Sequence, residues 1–220
     1  MQDKLHDFST GTITVTWSKR RCIHAAECVA GLPRVFQPGE RPWVKLDRAG
    51  ADAVAEVVRR CPTGALHDER HDGGAAEVAP ATNTVHVRRN GPTYLHGELE
   101  IRTPEGEVLL RDTRLALCRC GASGNMPLCD NAHLDAGFRD AGAIASETSV
   151  EDADATTGSR TLVVTPRADG PIELRGPFEL HAFGAGRTLS GSHANLCRCG
   201  QSENKPFCDG SHKRVGFTSR

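Results

Sequence analysis

Alternation and helical spacing of apolar residues divide the chain into short elements. Thr12–Trp17 alternates apolar and polar positions and predicts a strand, and Ala65-Leu66 a closing strand. Between them, Ala51–Arg60 places Val54, Val57 and Val58 on one face and predicts a helix. Further on, Thr84-Val85-His86-Val87 and Leu162-Val163-Val164-Thr165 predict two short strands. Tyr94, Leu95, Leu99 and Ile101 interleave with polar residues, and so do Ile172, Leu174, Phe178 and Leu180, with Gly and Pro marking turns. The stretch His71 to Asn83 is rich in Gly, Ala and Pro and predicts a linker. Asp140 to Arg160 is acidic, small and Ser/Thr-rich and predicts a second connector.

The second half is a repeat. Residues 91–138 align with 170–217 without a gap, at an offset of 197 − 118 = 79. Gly91-Pro92 matches Gly170-Pro171, Leu95 matches Leu174, Gly97 matches Gly176, and Gly137-Phe138 matches Gly216-Phe217. A unit of this length reads as a duplicated domain, not a solenoid repeat. The expected domains are 11–70, 84–139 and 162–220.

Composition narrows the class. At 38% hydrophobic and 5% aromatic residues, small modules of this chain need metals, disulfides or association to stay folded. A formal net charge of −1 argues against nucleic acid or an anionic membrane as partner. Nine cysteines without an apolar leader or a bilayer-long run point to a soluble, cytoplasmic protein with reduced thiols. Clustered cysteines then read as metal ligands.

Those cysteines supply the chemistry. Cys118, Cys120, Cys129 and His133 follow Cys-x-Cys-x8-Cys-x3-His, and Cys197, Cys199, Cys208 and His212 follow it again. Three thiolates and an imidazole select zinc, copper(I) or an iron–sulfur cluster over hard cations. Zinc is the structural alternative, although its knuckles usually put two to four residues between paired cysteines. A Cys-x-Cys pair can hold one iron of a two-iron cluster, with the distant Cys and His on the other. Asp130–His133 and Asp209–His212 are expected to open a short helix. Asp130 and Asp209 then serve as N-caps or as acceptors that orient the ligand loop. Ser123 and Ser202 pair in the repeat and join them as candidate residues around the site. Arg119 and Arg198 offset cluster charge or are ordinary surface cations.

The second segment, Cys197-Arg-Cys199-Gly-Gln-Ser202 followed by Pro206-Phe-Cys208-Asp209-Gly210-Ser211-His212, resembles the signature of the CDGSH iron–sulfur family (mitoNEET-like, with tandem motifs). The first segment resembles it with two departures, Asn131 for Gly and Ala132 for Ser. Asn tolerates left-handed backbone angles, so the turn is expected to survive. The resemblance implies a [2Fe–2S] cluster at each site, held by the three cysteines and the histidine. Histidine in place of thiolate removes negative charge. The expected potential lies above the about −400 mV of plant-type clusters and below Rieske centres, with a pH-linked potential and an acid-labile cluster.

The N-terminal segment holds the other cysteines. Cys22, Cys28 and Cys61-Pro62 fit the first, third and last thiolates of a single-cluster ferredoxin pattern, with Ala25 in the second place. Cys22-Ile-His-Ala-Ala-Glu-Cys28, Pro42-Trp43-Val44 and Arg60-Cys61-Pro62-Thr63-Gly64-Ala65-Leu66 resemble the divergent single-cluster ferredoxin family. This implies one [4Fe–4S] or [3Fe–4S] cluster. His24 is the nearest candidate for the missing ligand and is otherwise a surface residue.

The expected fold is α+β: a small ferredoxin-like module, then two tandem β-rich CDGSH modules packed with pseudo-twofold symmetry. The expected function is electron transfer without catalytic residues. Cluster storage, cluster transfer and redox or iron sensing form the alternative, and a structural zinc protein the third. The expected partners are redox proteins or apo iron–sulfur acceptors.

Overall fold

A computed structural model describes residues 4–144, 149–151, 159–184 and 186–219. The chain is mostly β with few, short helices, and it separates into two compact units, one ending at Val78 and the other beginning at Ala79. The boundary falls inside the predicted His71–Asn83 linker. The second predicted connector, Asp140–Arg160, lies in part outside the described residues. Of its described positions, Ile144 is buried in the core.

In the first unit, β1 (Leu5–Ser9), β2 (Ile13–Ser18) and β3 (Leu66–Arg70) form an antiparallel sheet with β2 in the middle. Helix α1 (Glu27–Gly31) follows Cys22, and α2 (Ala51–Arg59) precedes Cys61. Val54, Ala55, Val57 and Val58 of α2 are buried against Ile13, Val15, Val35, Phe36, Val44 and Leu66. The helix is also pinned to β3 by Arg59, which donates to both carboxylate oxygens of Asp68 at 2.9 and 2.7 Å. Strand β1 is absent from the sequence reading. Its five residues alternate the wrong way for a strong signal: Leu5 is exposed, while half-buried His6 and Phe8 pack on Trp17 and Trp43.

The second unit holds β4 (Thr84–Val87), β5 (Thr93–Arg102), β6 (Val108–Leu117), β7 (Val150–Glu151), β8 (Leu162–Pro166), β9 (Ile172–His181) and β10 (Thr188–Leu196). Helix α3 (Ala132–Asp135) lies in the first repeat and α4 (Ser211–Arg214) in the second. Strands β6 and β10 were not anticipated, because Arg111-Asp112-Thr113-Arg114 and Ser190-Gly191-Ser192-His193 break up their apolar positions.

Each repeat lends its first strand to the other. Strand β4 pairs antiparallel with β5 and parallel with β9, with Val85 opposite Leu95 and Leu180. Strand β8 pairs antiparallel with β9 and parallel with β5, with Val164 opposite Leu174 and Ile101. These registers map onto each other at the 79-residue offset. Val85, Leu95, Ile101, Leu115, Leu162, Val164, Leu174 and Leu180 fill a single core drawn from both repeats.

Asn83, read as the end of a linker, is instead a buried tie at this crossing. Its Nδ2 donates to Arg160 O at 2.6 Å and to Pro177 O at 2.8 Å. Its Oδ1 accepts from Glu98 N at 2.8 Å and its carbonyl accepts from Glu179 N at 2.9 Å. A buried amide of this kind is stable only because every polar atom finds a partner.

Candidate metal centres

In each repeat the ligand loop hangs from the end of the last long strand. Leu117 bridges Leu128, Cys118 N donates to Pro127 O at 2.9 Å, and Cys129 N donates to Ala116 O at 2.8 Å. Leu196 bridges Phe207, and Cys197 and Cys208 make the corresponding bonds to Pro206 O and Asn195 O, both at 2.8 Å. Two cysteines distant in sequence are thus held side by side by backbone pairing.

The ligands fall into pairs. Cys118 Sγ lies 3.7 Å from Cys120 Sγ, and Cys129 Sγ lies 3.6 Å from His133 Nδ1. In the second repeat the distances are 3.8 Å for Cys197–Cys199 and 3.4 Å for Cys208–His212 Nδ1. Two sulfurs on one tetrahedral metal at about 2.3 Å stand about 3.8 Å apart, and a sulfur and an imidazole nitrogen about 3.6 Å apart. Each pair therefore has the span of two ligands on one metal atom. Among the described residues no group of three or more His, Cys, Asp or Glu closes on a single ion. Paired soft donors of this kind fit a soft metal or an iron–sulfur centre.

The candidate residues around the ligands brace the loop. Ser123 Oγ donates to Leu128 O at 2.7 Å and accepts from Asn125 N at 3.0 Å, and Ser202 does the same with Phe207 O and Asn204 N. Asp130 accepts from Gly124 N at 2.8 Å and from Ala132 N at 3.0 Å; Asp209 accepts from Glu203 N and Ser211 N, both at 2.9 Å. The Ser211 and Glu203 donors hold the Asp209 carboxyl well below the usual carboxylate range. The helices begin one turn position later than expected. Asn131 (φ 73°) and Gly210 (φ 84°) are the residues that enter them, both in left-handed conformation, so each Asp spans the corner from one residue outside. Asn131 takes up the angle for which the second repeat has glycine.

Arg119 and Arg198 are not surface cations. They are 4% and 3% exposed. Arg119 donates from Nε to Gly91 O at 2.9 Å, from one terminal nitrogen to Arg88 O, and from the other to Asp140 at 2.7 Å, with Phe138 beneath the guanidinium. Arg198 repeats this on Gly170 O, Arg167 O and Phe217. Each arginine ties its ligand loop to a turn 28 to 31 residues earlier.

The two ligand loops also touch. A Cβ on Gly121 would stand 2.7 Å from Cys199 O, and one on Gly200 would stand 2.8 Å from Cys120 O. Both glycines have φ near 80°, at 80° and 79°. Only a residue without a side chain permits this approach.

Titration follows burial. Desolvation pushes Cys129 and Cys197 up to about 11 and also raises Cys208. In the Cys118–Cys120 pair, the hydrogen bond between the sulfurs holds Cys118 down and Cys120 up. Burial, aided by Arg119, lowers His133 and so favours the neutral imidazole, the form that binds a metal. A metal or cluster bound by these cysteines would displace their thiol protons, so its binding would weaken as the pH falls.

The first unit brings its three cysteines to one cavity of about 890 Å³. Cys22, Cys28 and Cys61 line it with Trp17, Trp43 and His24. Burial and repulsion from Cys61 push Cys28 up to about 11. His24 and Ala26 both hold left-handed angles, φ 55° and 65°, in the loop between the first two cysteines. Ala25 and His24 beside it are both exposed. The cavity walls also include Pro38, Gly39 and Pro42, which periodicity alone does not single out.

Family models agree with this layout. The divergent 4Fe-4S mono-cluster model matches residues 8–70. The model described as an iron-binding zinc finger of CDGSH type matches residues 90–134 and again 169–213. The uncharacterized protein YjdI of Escherichia coli K12, and its counterpart in strain O157:H7, are each 33% identical over 54 residues, which cover 24% of this chain and 71% of the relative.

Proposed function

Because the chain belongs to the divergent 4Fe-4S mono-cluster family in its N-terminal part and to the CDGSH iron-binding family in its two repeats, we propose that it is an iron–sulfur electron carrier. Cys118, Cys120, Cys129 and His133 hold one [2Fe–2S] cluster, and Cys197, Cys199, Cys208 and His212 a second. Cys22, Cys28 and Cys61 hold a [4Fe–4S] or [3Fe–4S] cluster, with His24 as candidate for the remaining position. The observation that carries the reading is the division of each four-ligand set into two pairs of metal-edge length, 3.7 and 3.6 Å in one repeat and 3.8 and 3.4 Å in the other. Such a set suits a two-iron cluster, which supplies reversible one-electron chemistry when bound.

The chain's own residues do the rest. The arginine clamps, the serine braces and the aspartate corners keep the ligands in place through a change of charge, which lowers reorganisation on electron uptake. The touching loops at Gly121 and Gly200 support close approach of the two centres in the second unit. The reciprocal registers of β4 on β9 and β8 on β5 support a pseudo-twofold arrangement of the repeats.

The test is iron and sulfide quantitation on anaerobically purified protein, with electron paramagnetic resonance after reduction. Two histidine-ligated [2Fe–2S] signals and one further cluster are expected. Colourless, iron-free, fully folded protein overturns the proposal. A second reading, cluster donation or sensing, draws support from the partial exposure of Cys208 and His212 beside their more buried counterparts Cys129 and His133. Incubation with an apo-ferredoxin separates the two: clusters that stay in place while the protein is rapidly reduced and reoxidised favour electron transfer.

A further inference from the structure

The repeats set homologous turns beside homologous ligand loops, so differences between the turns are differences between the rims of the two sites. At the first site the turn is Arg88–Gly91. A Cβ on Gly91 would stand 4.0 Å from His133 Nε2, which puts this turn directly against the outer nitrogen of the candidate ligand. Beside it opens a concavity of about 530 Å³ lined by Arg89, Asn90, Arg139, Asp140, Ala141 and Phe183. Arg88, Arg89 and Arg139 are exposed, and among the described residues none of them makes an ion pair. The one carboxylate of the concavity, Asp140, is taken by Arg119 at 2.7 Å. Phe183 is 43% exposed, with the Arg88 guanidinium 5.4 Å from its ring centre.

The second rim is built differently. Arg167 replaces Arg88 but is paired with Glu173 at 2.5 Å. Ala168 stands for Arg89, Asp169 for Asn90, Thr218 for Arg139 and Ser219 for Asp140. The cations near that site, Lys213 and Arg214, lie on α4 instead, where the first repeat has Leu134 and Asp135. The cationic hollow with an aromatic wall belongs to the first site.

Arginine and aromatic side chains around a hollow are the composition of energetic centres in protein interfaces. Three cations on a chain of net charge −1 fall short of the clusters of four to eight that anionic lipid surfaces attract. We propose that the Arg89–Arg139–Phe183 hollow is the docking face for an acidic redox protein, which makes the first site the one that exchanges electrons with that partner. This rests on the electron-transfer reading above. The exchange is one electron from the reduced protein to the oxidised partner, with no bond made or broken.

The full chain, reduced anaerobically, is mixed in a stopped-flow instrument with an acidic ferric cytochrome and, separately, with a basic one. Replacing both arginines (Arg89→Gln with Arg139→Gln) removes two positive charges. The control pair, Ala168→Glu with Thr218→Glu, changes net charge by the same amount at the second rim. Loss of steering is expected to slow reduction of the acidic cytochrome about tenfold or more in the arginine variant at low salt, and to flatten the salt dependence. The control pair and the basic cytochrome are expected to show no such loss. Equal losses in both variants, no loss in either, or arginine-dependent pelleting with phosphatidylserine vesicles at an unchanged electron-transfer rate overturns the docking face. The underlying reading fails differently: dithionite then leaves the visible spectrum unchanged and no acceptor is reduced.

Discussion

At the level of single residues, the eight candidate ligands of the second unit are legible in the sequence because their spacing is itself the constraint: backbone pairing at Leu117–Leu128 and Leu196–Phe207 brings together cysteines that the repeat had already marked. Arg119 and Arg198 are different. A residue between two cysteines of a loop carries no sign that its partners are carbonyls 28 and 31 residues upstream. Replacing Arg198 with Gln leaves Gly170 O and Arg167 O without their buried donor and is expected to cost about 2–3 kcal/mol, read from urea unfolding of the iron-loaded protein. Replacing His212 with Cys adds a negative charge to the donor set. The potential of that centre is expected to fall toward the about −400 mV of all-cysteine clusters and to lose its pH dependence, as followed by potentiometry between about pH 6 and 8. A pH response that survives this change removes the histidine from the account.

At the level of elements, the helix over 51–59 and strands β2, β4, β5, β8 and β9 follow from apolar periodicity, whereas β1, β6 and β10 escape it. The missed strands are those in which polar or small residues break up the apolar positions, so pairing with a neighbour fixes them and not their own pattern. Asn83 escaped for a related reason: its value lies in four hydrogen bonds to chain on both sides of the crossing, and a Gly/Ala/Pro-rich context hides it. The same crossing holds a titratable contact. His86 of β4 stacks on His181 of β9 at 4.5 Å with the rings 9° from parallel. Burial, with repulsion from His181, Arg88 and His96, holds the His86 pKa below its ordinary value. The folded state therefore binds fewer protons there than the unfolded chain. This contribution to stability is fully present above the unfolded value of about 6.5 and is lost as the pH falls through and below it. Melting temperature between about pH 7.5 and 5.5 is expected to fall further in the native protein than in His86→Gln. Parallel curves for the two proteins would place the acid sensitivity elsewhere.

At the level of the whole molecule, the two compact units meet at Val78–Ala79, within the Gly/Ala/Pro-rich stretch, whereas the bridging of the two repeats by their first strands left no mark in the sequence. Each of β4 and β8 pairs with the next strand of its own repeat on one edge and with the other repeat on its second edge, and no local residue pattern announces that second pairing. Since the core of the second unit is drawn wholly from residues 85–207, a chain spanning 79–220 is expected to fold and bind iron alone. Two [2Fe–2S] signals in that fragment's resonance spectrum, matching those of the full protein, are the expected outcome; an apo or aggregated fragment counts against it. Two copies of a single-repeat chain woven together in this fashion would come apart on dilution and would carry identical residues at both metal positions. Covalent continuity frees this molecule from both conditions. Its halves stay joined at any concentration, and each can drift on its own course, as Asn131-Ala132 beside Gly210-Ser211, and Arg89 beside Ala168, already record.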